Sequence, residues 1–273
     1  MNFFSSEADL FSLPRVRNTL IRLEDTIIFA LIERAQFAHN SVIYEPAAQQ
    51  FKDVTGEKSF LEFFLWETEK VHVRRYTSPD EYAFTSPLPM PILPALAYPQ
   101  FLHPNDINVN PQIMRIYLEH IVAAVTRPGD DQNYGSATTR DVEVLQALSK
   151  RIHYGKYIAE CKFRESPSAY AALARANDLA GIDALLTNKA VEATLLKRLG
   201  RKALIYGQSL DDVDVGKDVV EGEYQSKLLR IPVEAVVELY EKWVIPLTKV
   251  VEVEYLVKRG REWVEGDESQ RKE

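Results

Sequence analysis

The chain has one cysteine in 273 residues, so no intramolecular disulfide can form, and this usage fits a reducing compartment. Cys161 stands between Glu160 and Lys162 and reads as a packed thiol rather than a nucleophile. No apolar stretch approaches the roughly 20 residues needed to span a bilayer, so no membrane association is expected. The opening Met1-Asn2-Phe3-Phe4-Ser5-Ser6-Glu7 lacks a basic segment followed by an apolar run and a cleavage site, which predicts a cytoplasmic protein. Basic residues do not dominate: the net charge of -7 argues against a nucleic-acid partner but allows a local basic pocket. The five histidines are scattered at 39, 72, 103, 120 and 153, and none makes a His-Glu-x-x-His pattern, so no metal site is expected. The glycines form neither a phosphate-cradling loop nor a dinucleotide fingerprint, which leaves no visible seat for ATP, NAD or flavin. No cofactor is expected. No long alternating run calls for a sheet.

What remains is helical periodicity, and the predicted fold class is all-α. Its 46% hydrophobic residues are ample for one large domain or two small ones. Helices are predicted over 13–37, with Ser12 as cap and Pro14 in the first turn, and over 58–76. Residues 79–111 hold eight of the fourteen prolines, which excludes helix and predicts a long extended crossover. Further helices are predicted over 111–126, 139–163, 167–176, 178–185, 186–206 and 233–263, with Pro246 bending or dividing the last. Residues 207–223 carry six acids and read as a mobile loop, and the tail from 264 to 273 reads as frayed. No internal repeat is visible.

Polar side chains interrupt the apolar faces of four of these helices. One face reads Leu148, Arg151, Gly155, Ile158, Lys162, with steps of +3 and +4 throughout. Others read Leu185, Asn188, Glu192, Leu195, Leu199; then Ile245, Thr248, Glu252, Tyr255, Arg259; then Leu13, Arg17, Leu20, Glu24, Ile27, Leu31. Taken singly, each has an ordinary explanation, such as a snorkelling cation, a structural ion pair or a backbone-bonded hydroxyl. Together they are harder to dismiss, because an unpaired buried charge costs several kcal/mol and must meet another charge or a ligand. The set predicts a site for a small, multiply charged organic anion inside a helical bundle. It contains no nucleophile paired with a base.

At these residues the chain resembles the fungal chorismate mutases over about residues 10–262. The resemblance rests on Arg17-Asn18-Thr19-Leu20-Ile21-Arg22-Leu23-Glu24, Gly135-Ser136-Ala137-Thr138-Thr139-Arg140-Asp141, Arg151-Ile152-His153-Tyr154-Gly155-Lys156, and Ile245-Pro246-Leu247-Thr248-Lys249 with Val251-Glu252-Val253-Glu254-Tyr255-Leu256. It implies a single catalytic domain over 1–273, a bundle of about ten or more helices that works as a homodimer, and rearrangement of chorismate to prephenate without cofactor or metal. It further implies that Arg17 and Arg151 hold the substrate carboxylates, with Asn188 and Thr248 completing those contacts. Lys162 and Glu252 would face the ether oxygen and Glu192 the ring hydroxyl, while Glu24 would pair with Arg151 or Arg198.

The resemblance also implies an effector site for tyrosine, which inhibits, and tryptophan, which activates. Its residues would be Arg74, Arg75, Asn133, Gly135, Ser136 and Thr139, drawn from two subunits at their interface. Gln132 stands where the family can have asparagine, and Ile231-Pro232-Val233 where it can have a Thr-Pro cap, which puts the strength of switching in question. Two rival readings remain at this stage: a helical interaction protein that kept the fold without activity, and a bifunctional enzyme, for which the chain has no spare domain.

Overall fold

The computed structural model describes residues 11–95, 98, 100–209 and 229–264. Most of the acidic segment at 207–223 and all but Val264 of the tail lie outside these. Among the described residues every regular element is helical, and only two isolated β-bridges occur, Ala38 with Arg127 and Gln208 with Leu229. None of these helices is long and apolar enough to cross a membrane.

The chain opens with α1 (Leu13–Ala35), which Ser12 precedes in extended conformation and Pro14 enters in its first turn. After a single helical turn at Lys52–Thr55, α2 (Phe60–Val71) starts from a complete capping box between Ser59 and Glu62. The predicted helix over 58–76 is therefore shorter, because the chain tightens into a 3-10 turn at Val73–Thr77. Next come α3 (Asn110–Ile116) and α4 (Val122–Val125), joined by a π turn at Tyr117–Ile121.

The single helix expected over 139–163 is two. Helix α5 (Tyr134–His153) begins five residues earlier, from Asn133, and α6 (Gly155–Glu165) follows a break at Tyr154. The break falls where the last long helix presses on Gly155, whose missing side chain permits the approach. Then come α7 (Pro167–Arg175), α8 (Leu179–Leu186) and α9 (Lys189–Tyr206), the last capped by the Asn188 side chain, which accepts from the amides of Ala190 and Val191. The final helical stretch divides as α10 (Val233–Leu239), a π turn at Tyr240–Val244, and α11 (Ile245–Arg261). Pro246, lacking an N–H, sits in the first turn after the π turn, so the expected division is real and its cause is the missing donor.

Helix α11 packs on α5, α6, α7 and α8, while α1 lies along α5 and touches α6 and α9. The main core runs through Ile27, Leu31, Leu145, Leu148, Val251 and Leu256, all essentially inaccessible. A second cluster, Val16, Leu23, Tyr154, Tyr157, Ile158 and Cys161, ties the start of α1 to the start of α6.

Among the described residues, the proline-rich crossover holds no helix between Thr77 and Asn110, as its composition requires. Several of its backbone groups are satisfied instead by buried side chains from the helices, as buried amides and carbonyls must be. Lys156 donates to Ile107 O (2.6 Å) and Tyr82 Oη (2.9 Å), His153 Nε2 accepts from Val109 N (3.0 Å), and Glu69 accepts from Phe84 N and Thr85 N (both 2.8 Å). Burial pushes the Lys156 ammonium down to about 7, against the pull of the Asp106 and Glu254 carboxylates.

Candidate active site

A cavity of about 440 Å³ opens where α1, α5, α6, α9 and α11 converge. Each wall follows from one of the interrupted faces. Helix α1 contributes Arg17, Leu20, Ile21 and Glu24; α5 contributes Arg151; α6 contributes Ile158 and Lys162. Asn188, Glu192, Leu195 and Arg198 come from the start of α9, and Ile245, Thr248, Lys249 and Glu252 from α11. All seven residues expected to touch substrate therefore line one hollow. Its size suits a small organic ligand, within the range of roughly 300–1,000 Å³ usual for such sites.

The charges do not cancel. Glu24 is fully buried and pairs with Arg198 (2.7 Å) and Lys202 (3.1 Å), which settles its partner in favour of Arg198 over Arg151. Glu192 pairs with Lys249 at 2.9 Å. Among the described residues, Arg17, Arg151 and Lys162 have no carboxylate within 4.0 Å. Arg151 is only 3% exposed, its NH1 group reaches Thr248 Oγ1 at 3.4 Å, and its Nε–H has no acceptor among the described residues. Its ring neighbour is Tyr240, 5.8 Å from guanidinium carbon to centroid. A buried guanidinium with an idle donor calls for an anion. Lys162 is held by Leu186 O, the last carbonyl of α8, at 3.1 Å.

Glu252 is 8% exposed and carries the largest consequence of burial in the site. Desolvation pushes its carboxyl up to about 8, against the pull of Arg151, then Lys162, then Lys249. The family resemblance sets Lys162 opposite Glu252; in the structure the guanidinium of Arg151 exerts the larger pull. At pH 7 the carboxyl is mostly protonated and can donate a hydrogen bond.

Three placements differ from the sequence expectation. Arg17 is exposed at the mouth rather than turned fully inward. The Thr248 hydroxyl donates to Val244 O at 2.6 Å while it accepts from Arg151, so as placed it orients the guanidinium more than it offers a proton. Asn188 spends its Oδ1 on capping α9, which leaves its amide nitrogen for a ligand. Sequence reasoning also gave Lys249 no role, although its position four residues after Ile245 and three before Glu252 was sufficient to place it on the same face.

The residues expected to hold an effector fall on a different part of the surface. Gly135, Ser136 and Thr139 are exposed in the first turns of α5, and a Cβ at Gly135 would meet nothing within 4 Å. The Asn133 side chain does not cap this helix but donates to Asp131 O. Arg74 donates to Pro94 O, and Arg75 donates to Glu81 and to Gln146. Gln146 lies seven residues beyond Thr139, about 10 Å along the axis, so within one chain Arg75 is held away from the free amides.

No family model matches the sequence. Individual proteins do. The chorismate mutase of Schizosaccharomyces pombe is 44% identical over 251 residues, covering 90% of this chain and 96% of that protein. The Aro7p chorismate mutase of Candida albicans, solved in complex with L-tryptophan, superposes with a TM-score of 0.85 at 38% identity, covering 97% of this chain and 98% of that one. AtCM1 with tyrosine bound in its allosteric site superposes with a TM-score of 0.78 at 40% identity, covering 91% and 96%. With 44% identity spanning 90% of this chain and 96% of a chorismate mutase, the chain belongs to the chorismate mutase family.

Proposed function

We propose that the cavity binds chorismate and rearranges it to prephenate, and that residues 1–273 form one catalytic domain for this reaction. The observation that carries this is Arg151, a buried cation with an idle donor in a cavity where every carboxylate is already paired or neutralised. Such a site selects a dianion. The reaction is intramolecular and pericyclic: the ether C–O bond breaks as a C–C bond forms between the enolpyruvyl arm and the ring. It needs no external acid, base or nucleophile. Catalysis then consists of holding the arm over the ring and stabilising the charge that grows on the ether oxygen.

In this reading Arg17 and Arg151 take the two carboxylates, with Asn188 supplying its amide N–H and Thr248 aiming Arg151. Lys162 and the protonated Glu252 donate to the ether oxygen as its bond lengthens, and Glu192 accepts the ring hydroxyl. Purified protein should therefore consume chorismate, followed as loss of its absorbance, at a rate indifferent to EDTA. Protein that leaves chorismate intact would overturn the reading.

Regulation belongs to the same proposal. The free amides at the start of α5 favour an anion such as an amino-acid carboxylate. Because Arg75 is bound to α5 at Gln146, well beyond that ligand, we assign it and its neighbour Arg74 to the site of a second copy in a homodimer. Support comes from the Candida albicans protein holding L-tryptophan and AtCM1 holding tyrosine in its allosteric site. Tyrosine is expected to inhibit and tryptophan to activate. A cytosolic setting accords with the one thiol, buried and unpaired at Cys161.

A further inference from the structure

Lys249 follows Thr248 on α11 and enters the same cavity. Its Nζ meets Glu192 Oε1 at 2.9 Å, and the two side chains are only 27% and 30% exposed. The pair spans the gap between α11 and the first turn of α9. Glu192 begins that helix, where Asn188 has taken the N-cap position, so its backbone is fixed while its side chain has one firm partner.

A carboxylate offers two oxygens. With Oε1 held by an ammonium, Oε2 is left as an acceptor of set direction. We propose that Lys249 is a positioning residue that locks the Glu192 carboxylate so that its free oxygen receives the ring hydroxyl of the substrate, and that offsets a negative charge the dianion would otherwise meet. The inference rests on the assignment of this cavity to chorismate. An ion pair that keeps this much contact with solvent contributes little to folding, so the effect is to be sought in substrate affinity rather than stability. Without Lys249 the Glu192 side chain is free to turn to solvent, and the ring hydroxyl loses its acceptor.

The same ammonium acts on a second group. Glu252 lies one turn along α11 and is faced by Arg151 from α5, Lys162 from α6, Glu192 from α9, Tyr170 from α7 and Lys249 from its own helix. The three cations pull its carboxyl toward ionisation, while Glu192 and burial resist. Loss of Lys249 removes one of those pulls, so Glu252 keeps its proton to higher pH. That shift reports the charge of Lys249 beside Glu252, whereas its hold on Glu192 is read in KM, which a merely structural lysine would not move.

The test is steady-state kinetics with chorismate on the full chain carrying Lys249→Met, Lys249→Arg, Glu192→Gln, or Lys249→Met with Glu192→Gln, beside Arg151→Ala. Lys249→Met is expected to raise KM about tenfold while kcat changes less than about threefold, as when a charge-assisted hydrogen bond disappears from ground and transition state alike. The alkaline decline of kcat should move to higher pH, and Lys249→Arg should recover most of the affinity. The double variant should bind no worse than Glu192→Gln alone, since both changes remove one device. Additive losses in KM, or an unchanged KM and pH profile in Lys249→Met, overturn the proposal. Arg151→Ala separates the two levels: if it stays fully active, the cavity assignment fails and this inference with it. If Arg151→Ala is crippled while Lys249→Met is indifferent, only the role of Lys249 fails.

Discussion

Gly155 and Thr248 stand so close that a Cβ at position 155 would lie 2.9 Å from Thr248 Cγ2 and 3.2 Å from Thr248 O. Glu252 Cγ would be 3.1 Å away. The glycine sets the depth of the cavity floor, because it lets α11 bring its two functional side chains against α5 and α6. Gly155→Ala should push α11 outward by a few tenths of an ångström and misplace both groups. The expected loss in kcat is about tenfold or more, since small displacements in a preorganised site are expensive. Overpacking should also lower stability by about 1–3 kcal/mol, measurable by urea titration. Wild-type kinetics in this variant would show that the floor tolerates movement.

The pH profile should report Glu252. Its carboxyl is active as a donor only when protonated, so kcat should fall as pH rises through about 8, and Glu252→Gln should flatten that limb. Stability gives an independent check with its own sign. The folded pKa lies above the ordinary unfolded value of 4.5, so the native state binds the extra proton between these values and loses stability as pH climbs through them. Glutamine has no such titration. The melting temperature of Glu252→Gln relative to the parent should therefore increase from pH 5 to pH 8, and a constant gap would contradict the raised pKa.

Not every polar interruption serves a ligand. Arg34 continues the α1 face that holds Glu24, yet it is fully buried and bound to Asp141 on α5, whose carboxylate also accepts from Tyr44 Oη and Tyr117 Oη. Asp141→Ala should cost about 3–5 kcal/mol by stranding the guanidinium. Thermal or urea unfolding would measure this, and a loss under about 1 kcal/mol would mean that the knot is replaceable.

That knot shows how far the sequence could be read. The spacing of Arg151, Lys162, Asn188, Glu192, Thr248 and Glu252 on apolar faces picked out the lining of one cavity, because burying a charge without a partner is too costly to happen by chance on four helices. The same signal was present in Arg34 and Asp141, and periodicity cannot say whether an inward charge will meet another charge or a substrate. Only the packing decides that. Helix starts were legible only to within a few residues: those expected at 58 and 186 fall at Phe60 and Lys189, after the capping side chains of Ser59 and Asn188, while Ser12 stands at the expected N-cap without a side-chain bond. The break at Tyr154 was not legible, since its cause is a neighbouring helix distant in sequence. The π turn before Pro246 follows from a missing donor and could be anticipated as a bend, though not in its form.

For the effector site, the decisive feature is the open space above Gly135. Gly135→Asp places a carboxylate beside the free amides of α5 and should abolish both the inhibition by tyrosine and the activation by tryptophan, read as the ratio of rates with and without effector at subsaturating chorismate. A response equal to that of the parent protein would move the effector elsewhere.

The most direct trial of the account is kcat/KM for chorismate in Arg151→Ala, with the fold verified by circular dichroism. A fall of at least about 10²-fold is expected, the usual consequence of removing one preorganised donor to a transition state. A variant within about threefold of the parent would show that the buried guanidinium does not grip the substrate, and the assignment of this cavity would not survive it.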